Sequence, residues 1–85
     1  MYEVLLERAA QKDLKALPKD NYIKITGLIK SLSENPRPSG CKKLSALKQF
    51  WRIRSGKYRI LYTIDDEAKE VCIMRVRHRR EAYRT

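Results

Sequence analysis

The sequence predicts an α+β domain, in which an N-terminal strand and a helical hairpin pack on one face of a mostly antiparallel four-stranded sheet. Two observations predict this fold class. Apolar residues recur at helical intervals between Ala9 and Leu32, and from Phe50 onward they alternate with polar residues at the two-residue period of strands. The 85 residues suffice for one small domain, so we assign residues 1–85 to a single unit.

One strand and two helices are predicted in the first half of the chain. Residues 2–6 form the strand, and a helix follows from Ala9 until Pro18 stops it. Asp20 is predicted to cap the N-terminus of the second helix. The apolar stripe of that helix contains Tyr22, Ile25, Ile29 and Leu32. The sequence NPRPSG that follows breaks all periodicity and is predicted to form a loop.

A strand, a tight turn and a second strand are predicted for residues 50–65, FWRIRSGKYRILYTID. Trp51 and Ile53 alternate with Arg52 and Arg54, so one face of the first strand is apolar and the other carries guanidinium groups. A half-buried hairpin explains the apolar face, but it does not require arginines on the opposite one.

The hairpin is flanked by a basic segment and a third strand. Residues 42–48 carry three lysines and lead into the hairpin. Residues 70–76 are nearly continuous in apolar character, which places this third strand centrally in the sheet. The C-terminal run RVRHRREAYRT is too charged to be core and too short to be a stable helix alone.

Positive charge is concentrated in the second half of the chain. The whole sequence has 20 Lys and Arg against 10 Asp and Glu, a net charge of +10. Residues 1–41 hold seven basic and five acidic side chains, whereas residues 42–85 hold thirteen basic and five acidic. Such charged residues usually lie on a solvent-exposed sheet face. Their concentration in one half of the chain, however, makes a polyanion the expected partner.

The sheet face opposite Trp51 is predicted to be rich in arginine. Arg52 and Arg54 alternate with the apolar residues of their strand. Arg59 joins them from the next strand, and Arg75 and Arg77 extend the surface from the third. An open face lined by arginines suits a flexible, single-stranded nucleic acid.

Several classes of protein are excluded by what the sequence lacks. Cys41 and Cys72 are too far apart for a zinc spacing and are expected to be reduced thiols. The N-terminus lacks the pattern of a signal peptide, and no segment approaches the length of a membrane span. We therefore expect a soluble, cytoplasmic protein.

The residues left for chemistry are arginine, lysine, tyrosine and one histidine. His78 has no carboxylates at metal-ligand spacing, and the chain lacks a glycine-rich phosphate loop, so neither a metal nor another cofactor is expected. The remaining side chains can bind a phosphodiester and stabilise the negative charge that develops on it. RNA supplies its own nucleophile, the 2′-OH, so its cleavage needs no metal.

The sequence resembles the RelE/ParE superfamily of type II toxins. The resemblance rests on KKLSALKQFWRIRSGKYRILYTID followed by VCIMRVRHRREAY, and it extends to AAQKDLKALP and the ENPRPSG loop. It covers essentially the whole chain and implies the same fold. Members similar to RelE cleave messenger RNA in the ribosomal A site through attack of the 2′-OH on the neighbouring phosphate.

The resemblance also implies roles for individual residues. Arg59 corresponds to a phosphate-stabilising arginine, and Arg79 to a second catalytic arginine. Tyr83 corresponds to a tyrosine that orients or deprotonates the 2′-OH, and His78 stands where a general acid or base is possible. The expected RNA-binding residues, with Lys42 and Lys43 equally explicable as solubilising charge, are Arg52, Arg54, Arg77, Lys42 and Lys43.

Alternative functions stay open, because this sequence departs from RelE at two positions. Arg52 and Arg54 replace lysines that transfer protons in RelE, and arginine is a poor general base. ParE-like members share the fold and inhibit DNA gyrase without the catalytic residues. A small RNA-binding module without toxicity is the third reading. Either toxin reading implies an acidic, RelB-like antitoxin as partner, and the RelE-like reading adds the ribosome with mRNA in its A site.

Overall fold

Five strands and three helices make up the computed structural model, which describes residues 1–44 and 50–82. In chain order they are β1 (Glu3–Leu6), α1 (Arg8–Lys15), α2 (Lys19–Ser31), β2 (Lys42–Lys43), β3 (Phe50–Ser55), β4 (Tyr58–Asp65), β5 (Glu70–His78) and α3 (Arg79–Ala82). None of the helices in these ranges is both long enough and apolar enough to cross a membrane.

The sheet has the strand order β1-β5-β4-β3-β2, in which β1 runs parallel to β5 and the other pairs are antiparallel. The predicted α+β class is confirmed. The sheet has five strands rather than four, because Lys42 and Lys43 pair with Arg52 and Trp51 and so form β2. A two-residue strand is too short to show alternation in the sequence. The strand β5 lies between β1 and β4, so the prediction that this third strand lies centrally in the sheet is confirmed, although the added β2 makes β4 the middle one of the five.

The strands β3, β4 and β5 form an antiparallel meander, and the core lies between the helices and one face of it. Ile53 on β3 is opposite Ile60 on β4, which in turn is opposite Val76 on β5, and all three are buried. Trp51 packs against the edge of this core, so the predicted direction of the β3 side chains is confirmed. Because side chains alternate along a strand, the arginines of β3 point to the opposite face.

The helices begin and end within two residues of the prediction. Ala10 and Leu14 of α1 and Ile25 and Ile29 of α2 are buried against the sheet. The N-cap of α2 is Pro18, with φ −56° and ψ 150°, so the prediction that Asp20 caps this helix was wrong. Asp20 lies instead in the first turn, where a carboxylate is favourable beside the positive end of the helix dipole.

Asp66 ties three distant segments together at one end of the sheet. Its carboxylate accepts hydrogen bonds from the Tyr2 hydroxyl at 2.6 Å and from both terminal nitrogens of Arg37 at 2.8 and 3.2 Å. The hydrogen bonds from Arg37 and Tyr2 lower the pKa of Asp66 to about 2, below its usual range. The guanidinium of Arg37 also stacks over the Trp51 ring, 5.0 Å from its centroid.

The loop between α2 and β2 is anchored by a buried tyrosine. The hydroxyl of Tyr62, whose side chain is fully buried on β4, donates a 2.8 Å hydrogen bond to the Pro36 carbonyl oxygen. Burial raises the pKa of Tyr62, so it stays protonated and continues to donate. The loop predicted to be irregular is therefore fixed to the core at one point.

Asp13 closes an open edge of β5. The strand β1 pairs with β5 only as far as Ile73, so the following residues of β5 have no neighbour on that side. There, Asp13 on α1 accepts a 2.9 Å hydrogen bond from the Val76 backbone N–H and a 2.9 Å hydrogen bond from Arg75 Nε. The carboxylate thus takes the place of a strand and fixes α1 against the sheet.

Candidate functional site

Three arginines stand side by side across the meander. Arg54 on β3 is opposite Arg59 on β4, and Arg59 is opposite Arg77 on β5. Directly opposed residues of neighbouring strands project from the same face, which here is the face away from the helices. We call these three residues the arginine row. Like charges opposed in this way destabilise a sheet, so the row is unfavourable unless an anion binds to it.

Arg59, at the centre of the row, is almost fully buried. Its residue is only 5% exposed, and Nη1 donates a 3.2 Å hydrogen bond to the Tyr58 carbonyl oxygen. Among the described residues, no carboxylate lies within ion-pair distance of this guanidinium. Charged residues are rarely buried unless they are paired. Among the residues that the structure describes, the buried positive charge of Arg59 therefore has no carboxylate to balance it.

Arg77, at one end of the row, faces a carboxylate. Its Nε lies 3.4 Å from Glu81 Oε2, one helical turn further along the chain. The Nε atom is buried, and the geometry falls short of a hydrogen bond. The Glu81 side chain is 54% exposed, whereas that of Arg77 is 21% exposed. Glu81 therefore stands at the boundary between the arginine row and solvent.

A second row of cross-strand neighbours extends the basic face. Lys42 is opposite Arg52, which is opposite Leu61, so both cations lie on the same face as the arginine row. Lys43 is exposed and opposite Trp51, which places it toward the helix face instead. The structure thus brings Lys42 and Arg52 to the predicted surface but separates Lys43 from it.

His78 lies on the helix face and not beside Arg59. It follows Arg77 on the same strand, and successive side chains of a strand point to opposite faces. Its ring makes an edge-to-face contact with Tyr58, with 5.4 Å between centroids and 82° between planes. Its Nδ1 accepts a 3.3 Å hydrogen bond from the Arg80 backbone N–H. Strand alternation therefore places His78 on the face opposite Arg59, and its expected role as acid or base stays a prediction.

Arg79 begins α3, directly after the last residue of β5. It is exposed, and its backbone N–H donates a 2.6 Å hydrogen bond to the Lys57 carbonyl oxygen in the turn between β3 and β4. This bond fixes the start of α3 to the hairpin that carries Arg54 and Arg59. Tyr83, the last predicted catalytic residue, lies outside the described residues.

Two features of the candidate site were missed by reasoning from the sequence, namely the contact of Glu81 with Arg77 and the burial of Arg59. The four-residue spacing of Arg77 and Glu81 could have indicated their contact, because such pairs meet on a helix, but the pair spans the end of a strand. The burial of Arg59 has no signal in the sequence, because it depends on three strands packing side by side. Among the described residues, no group of three His, Cys, Asp or Glu could hold a metal ion.

A family model matches nearly the whole chain. It is described as the ParE toxin of the type II toxin-antitoxin system parDE, and it matches residues 4–83. Toxin RelG of Mycobacterium tuberculosis is 36% identical over 84 residues, which cover 98% of this chain and 97% of RelG.

Solved structures of toxin-antitoxin complexes have the same fold. The RelBE2 complex of M. tuberculosis contains a chain with a TM-score of 0.79 and 36% identity, and the match covers 92% of this chain and 98% of that one. The RelE-RelB complex of Pyrococcus horikoshii gives a TM-score of 0.83 at 26% identity, covering 92% of this chain and 94% of that one.

Proposed function

The chain belongs to the ParE toxin family of type II toxin-antitoxin systems, within the RelE/ParE superfamily, and from that premise we propose that it is a ribosome-dependent mRNA endonuclease. In this proposal it acts in the cytoplasm, on mRNA in the ribosomal A site, without a metal. The single observation that carries the proposal is the buried Arg59, which lies between Arg54 and Arg77 without a carboxylate partner among the described residues.

The arginine row fits a phosphodiester in charge and in shape. Guanidinium groups present donors in a fixed fork that matches phosphate oxygens, and a phosphate that binds between them would offset their mutual repulsion. Because Arg59 is held rigidly by burial, its donors are aimed in advance at the charge that develops in the transition state. Arg52 and Lys42 extend the surface along which the RNA backbone would lie.

The reaction we propose is attack of the ribose 2′-OH on the adjacent phosphorus. Arg59 stabilises the pentavalent phosphate, and Arg77 neutralises a second phosphate oxygen. Arg79 remains a candidate for contact with the leaving group, because its backbone bond to Lys57 holds it at the same end of the hairpin. Tyr83 is proposed to orient the 2′-OH, in line with its resemblance to the RelE tyrosine.

An antitoxin is the second partner in this proposal. Two of the solved relatives, from Pyrococcus horikoshii and Methanococcus jannaschii, are complexes of a RelE toxin with a RelB antitoxin. The net charge of +10 makes an acidic antitoxin the expected counterpart. We propose that it blocks the toxin by covering the arginine face or by displacing the C-terminal residues.

Inhibition of DNA gyrase is the alternative that the family model supports, since that model is named for ParE. In that case the arginine row would bind acidic groups of a protein, and mRNA would stay intact. A supercoiling assay with purified gyrase discriminates the two. Inhibited supercoiling together with uncut mRNA would reverse our ranking.

The direct test is primer extension on translating ribosomes to which the purified protein is added. We expect cuts within A-site codons, and we expect Arg59→Leu to lower the cleavage rate by at least about 100-fold, as loss of an electrostatic donor does. The free energy of unfolding of Arg59→Leu should be equal to or above that of the wild type, because a buried unpaired charge is removed.

Arg8→Ala is the matched control, since it removes an exposed arginine from α1, far in sequence from the row. Its cleavage rate should equal that of the wild type. If wild-type protein leaves A-site codons uncut, or if Arg8→Ala and Arg59→Leu lower cleavage equally, the proposed role of the arginine row is wrong.

A further inference from the structure

We propose that Glu81 is the general base of the reaction, which accepts the proton of the attacking 2′-OH. This inference rests on the proposed function and assigns a residue to a step that the arginine row cannot perform. Arginine stays protonated at neutral pH, so the row binds and stabilises phosphate but does not remove a proton.

Glu81 is placed beside the position that the phosphate would take. Its Oε2 lies 3.4 Å from Arg77 Nε, and Arg77 is the direct cross-strand neighbour of Arg59. A phosphate held between the two arginines would have its own nucleotide's 2′-OH adjacent to phosphorus. A general base must come within hydrogen-bond reach of the proton it takes, about 3 Å. The ion pair with Arg77 holds the carboxylate next to the arginine row.

The two other carboxylates that form ion pairs among the described residues are unsuited to this step. Asp13 is occupied by Arg75 and by the Val76 backbone N–H at the strand edge. Asp66 is bonded to Tyr2 and Arg37 at the turn between β4 and β5, the end of the hairpin farthest from Arg54 and Arg77. Glu81, by contrast, contacts the row itself.

The alternatives to a carboxylate are weaker on physical grounds. His78 points to the helix face, where its Nδ1 accepts the Arg80 backbone N–H. A tyrosine has an ordinary pKa of about 10, so at neutral pH it carries a proton in nearly all molecules. A carboxylate is ionised at neutral pH and is ready to accept a proton.

The proposed step is balanced in atoms and charge. The 2′-oxygen transfers its proton to Glu81 and forms a bond to phosphorus, while the bond between phosphorus and the 5′-oxygen breaks. The 5′-oxygen takes a proton from water, and Glu81 returns its proton to water, so no net proton is consumed. The products are a 2′,3′-cyclic phosphate and a 5′-hydroxyl. The 54% exposure of the Glu81 side chain allows this exchange with solvent.

The test compares single-turnover cleavage on programmed ribosomes by the wild type, Glu81→Gln and Glu81→Asp. We expect Glu81→Gln to lower the cleavage rate by about 100-fold or more, with ribosome affinity unchanged, since a general base contributes rate and not binding. Glu81→Asp keeps a carboxylate and should recover part of the rate. Glu34→Gln, which neutralises an exposed carboxylate after α2, is the matched control and should cleave as the wild type does.

The pH dependence gives a second, independent readout. Between about pH 6 and 8 the wild-type rate should be nearly constant, because a side chain and not hydroxide then takes the proton. The residual rate of Glu81→Gln should rise about tenfold per pH unit, because hydroxide must then replace the missing base. A merely structural role for Glu81 would leave both profiles the same in shape.

The outcomes separate the two proposals. Wild-type protein that does not cut mRNA rejects the proposed function. If the wild type cleaves mRNA and Glu81→Gln cleaves it equally fast or faster, Glu81 is not the base, and the proposed nuclease function still stands. A Glu81→Gln variant with weaker ribosome binding but an unchanged single-turnover rate also overturns the inference, because it shows a binding role.

Discussion

Asp13 Oδ2 accepts a 2.9 Å hydrogen bond from the backbone N–H of Val76, a residue 63 positions further along the chain. The contact joins the first helix to the strand that carries Arg75 and Arg77. It lies where β5 has lost its neighbour β1, so a single side chain does what a strand does elsewhere in the sheet.

Replacement of Asp13 should therefore destabilise the whole fold. Asp13→Ala leaves the Val76 N–H without its partner and removes the ion pair with Arg75. We expect the free energy of unfolding to fall by about 1 to 3 kcal/mol, measured by urea denaturation. Asp20→Ala, which changes an exposed aspartate in the first turn of α2, is the control and should cost less. Equal losses in the two variants would contradict the role given to the Asp13 contact.

The hydroxyl of Tyr62, as well as its ring, should contribute to the stability of the fold. Tyr62→Phe keeps the packing but leaves the buried Pro36 carbonyl without a donor. We expect a loss of about 1 to 2 kcal/mol in the free energy of unfolding, from the midpoint of a urea titration. Tyr22→Phe changes a tyrosine that is 46% exposed, and it should be nearly neutral. A neutral Tyr62→Phe would show that the loop is not held by this bond.

Acid should weaken the cluster around Asp66. The pKa of its carboxyl is lowered in the folded state from 3.8 to about 2 by Arg37 and Tyr2. A lowered pKa means that the stabilisation is fully present above pH 3.8 and is lost as the pH falls through about 2. Unfolding curves of wild type and Asp66→Asn should therefore differ at neutral pH and converge in this acidic window. If the difference in stability between the two proteins is the same at neutral pH and near pH 2, the pKa of Asp66 is not linked to folding in this way.

His78 should tolerate replacement by an aromatic residue that cannot exchange protons. His78→Phe retains the edge-to-face contact with Tyr58 and loses only the bond from the Arg80 N–H. We expect ribosomal cleavage within about fivefold of the wild type, since one exposed hydrogen bond contributes about 1 kcal/mol or less. His78→Ala, which also removes the ring, should impair the protein more. A loss of about 100-fold or more in His78→Phe would restore His78 as an acid or base.

The fold was largely predictable because long elements carry strong periodicity. The alternation of Trp51 and Ile53 with Arg52 and Arg54 correctly predicted which face of β3 is buried. The two-residue strand β2 could not be found in this way, because Lys42 and Lys43 become a strand only by pairing with β3. The helix cap at Pro18 was missed because a better capping residue, Asp20, stood close by.

The candidate site was predictable in composition but not in geometry. The sequence identified Arg54, Arg59 and Arg77, and their register across three strands brings them together. It also grouped His78 with them, although adjacent residues of one strand face opposite ways. The contact of Glu81 with Arg77 depends on β5 ending at His78 and turning into α3, and nothing in the local sequence fixes that boundary.

The loss of β1 as a neighbour halfway along β5 divides that strand into two parts of unequal stability. Residues up to Ile73 are paired on both sides, whereas the part that carries Arg75 and Arg77 is held by β4 on one side and by Asp13 on the other. Opening of that second part breaks fewer bonds than global unfolding does. Amide hydrogens near Arg77 should therefore exchange with solvent faster than those near Val71.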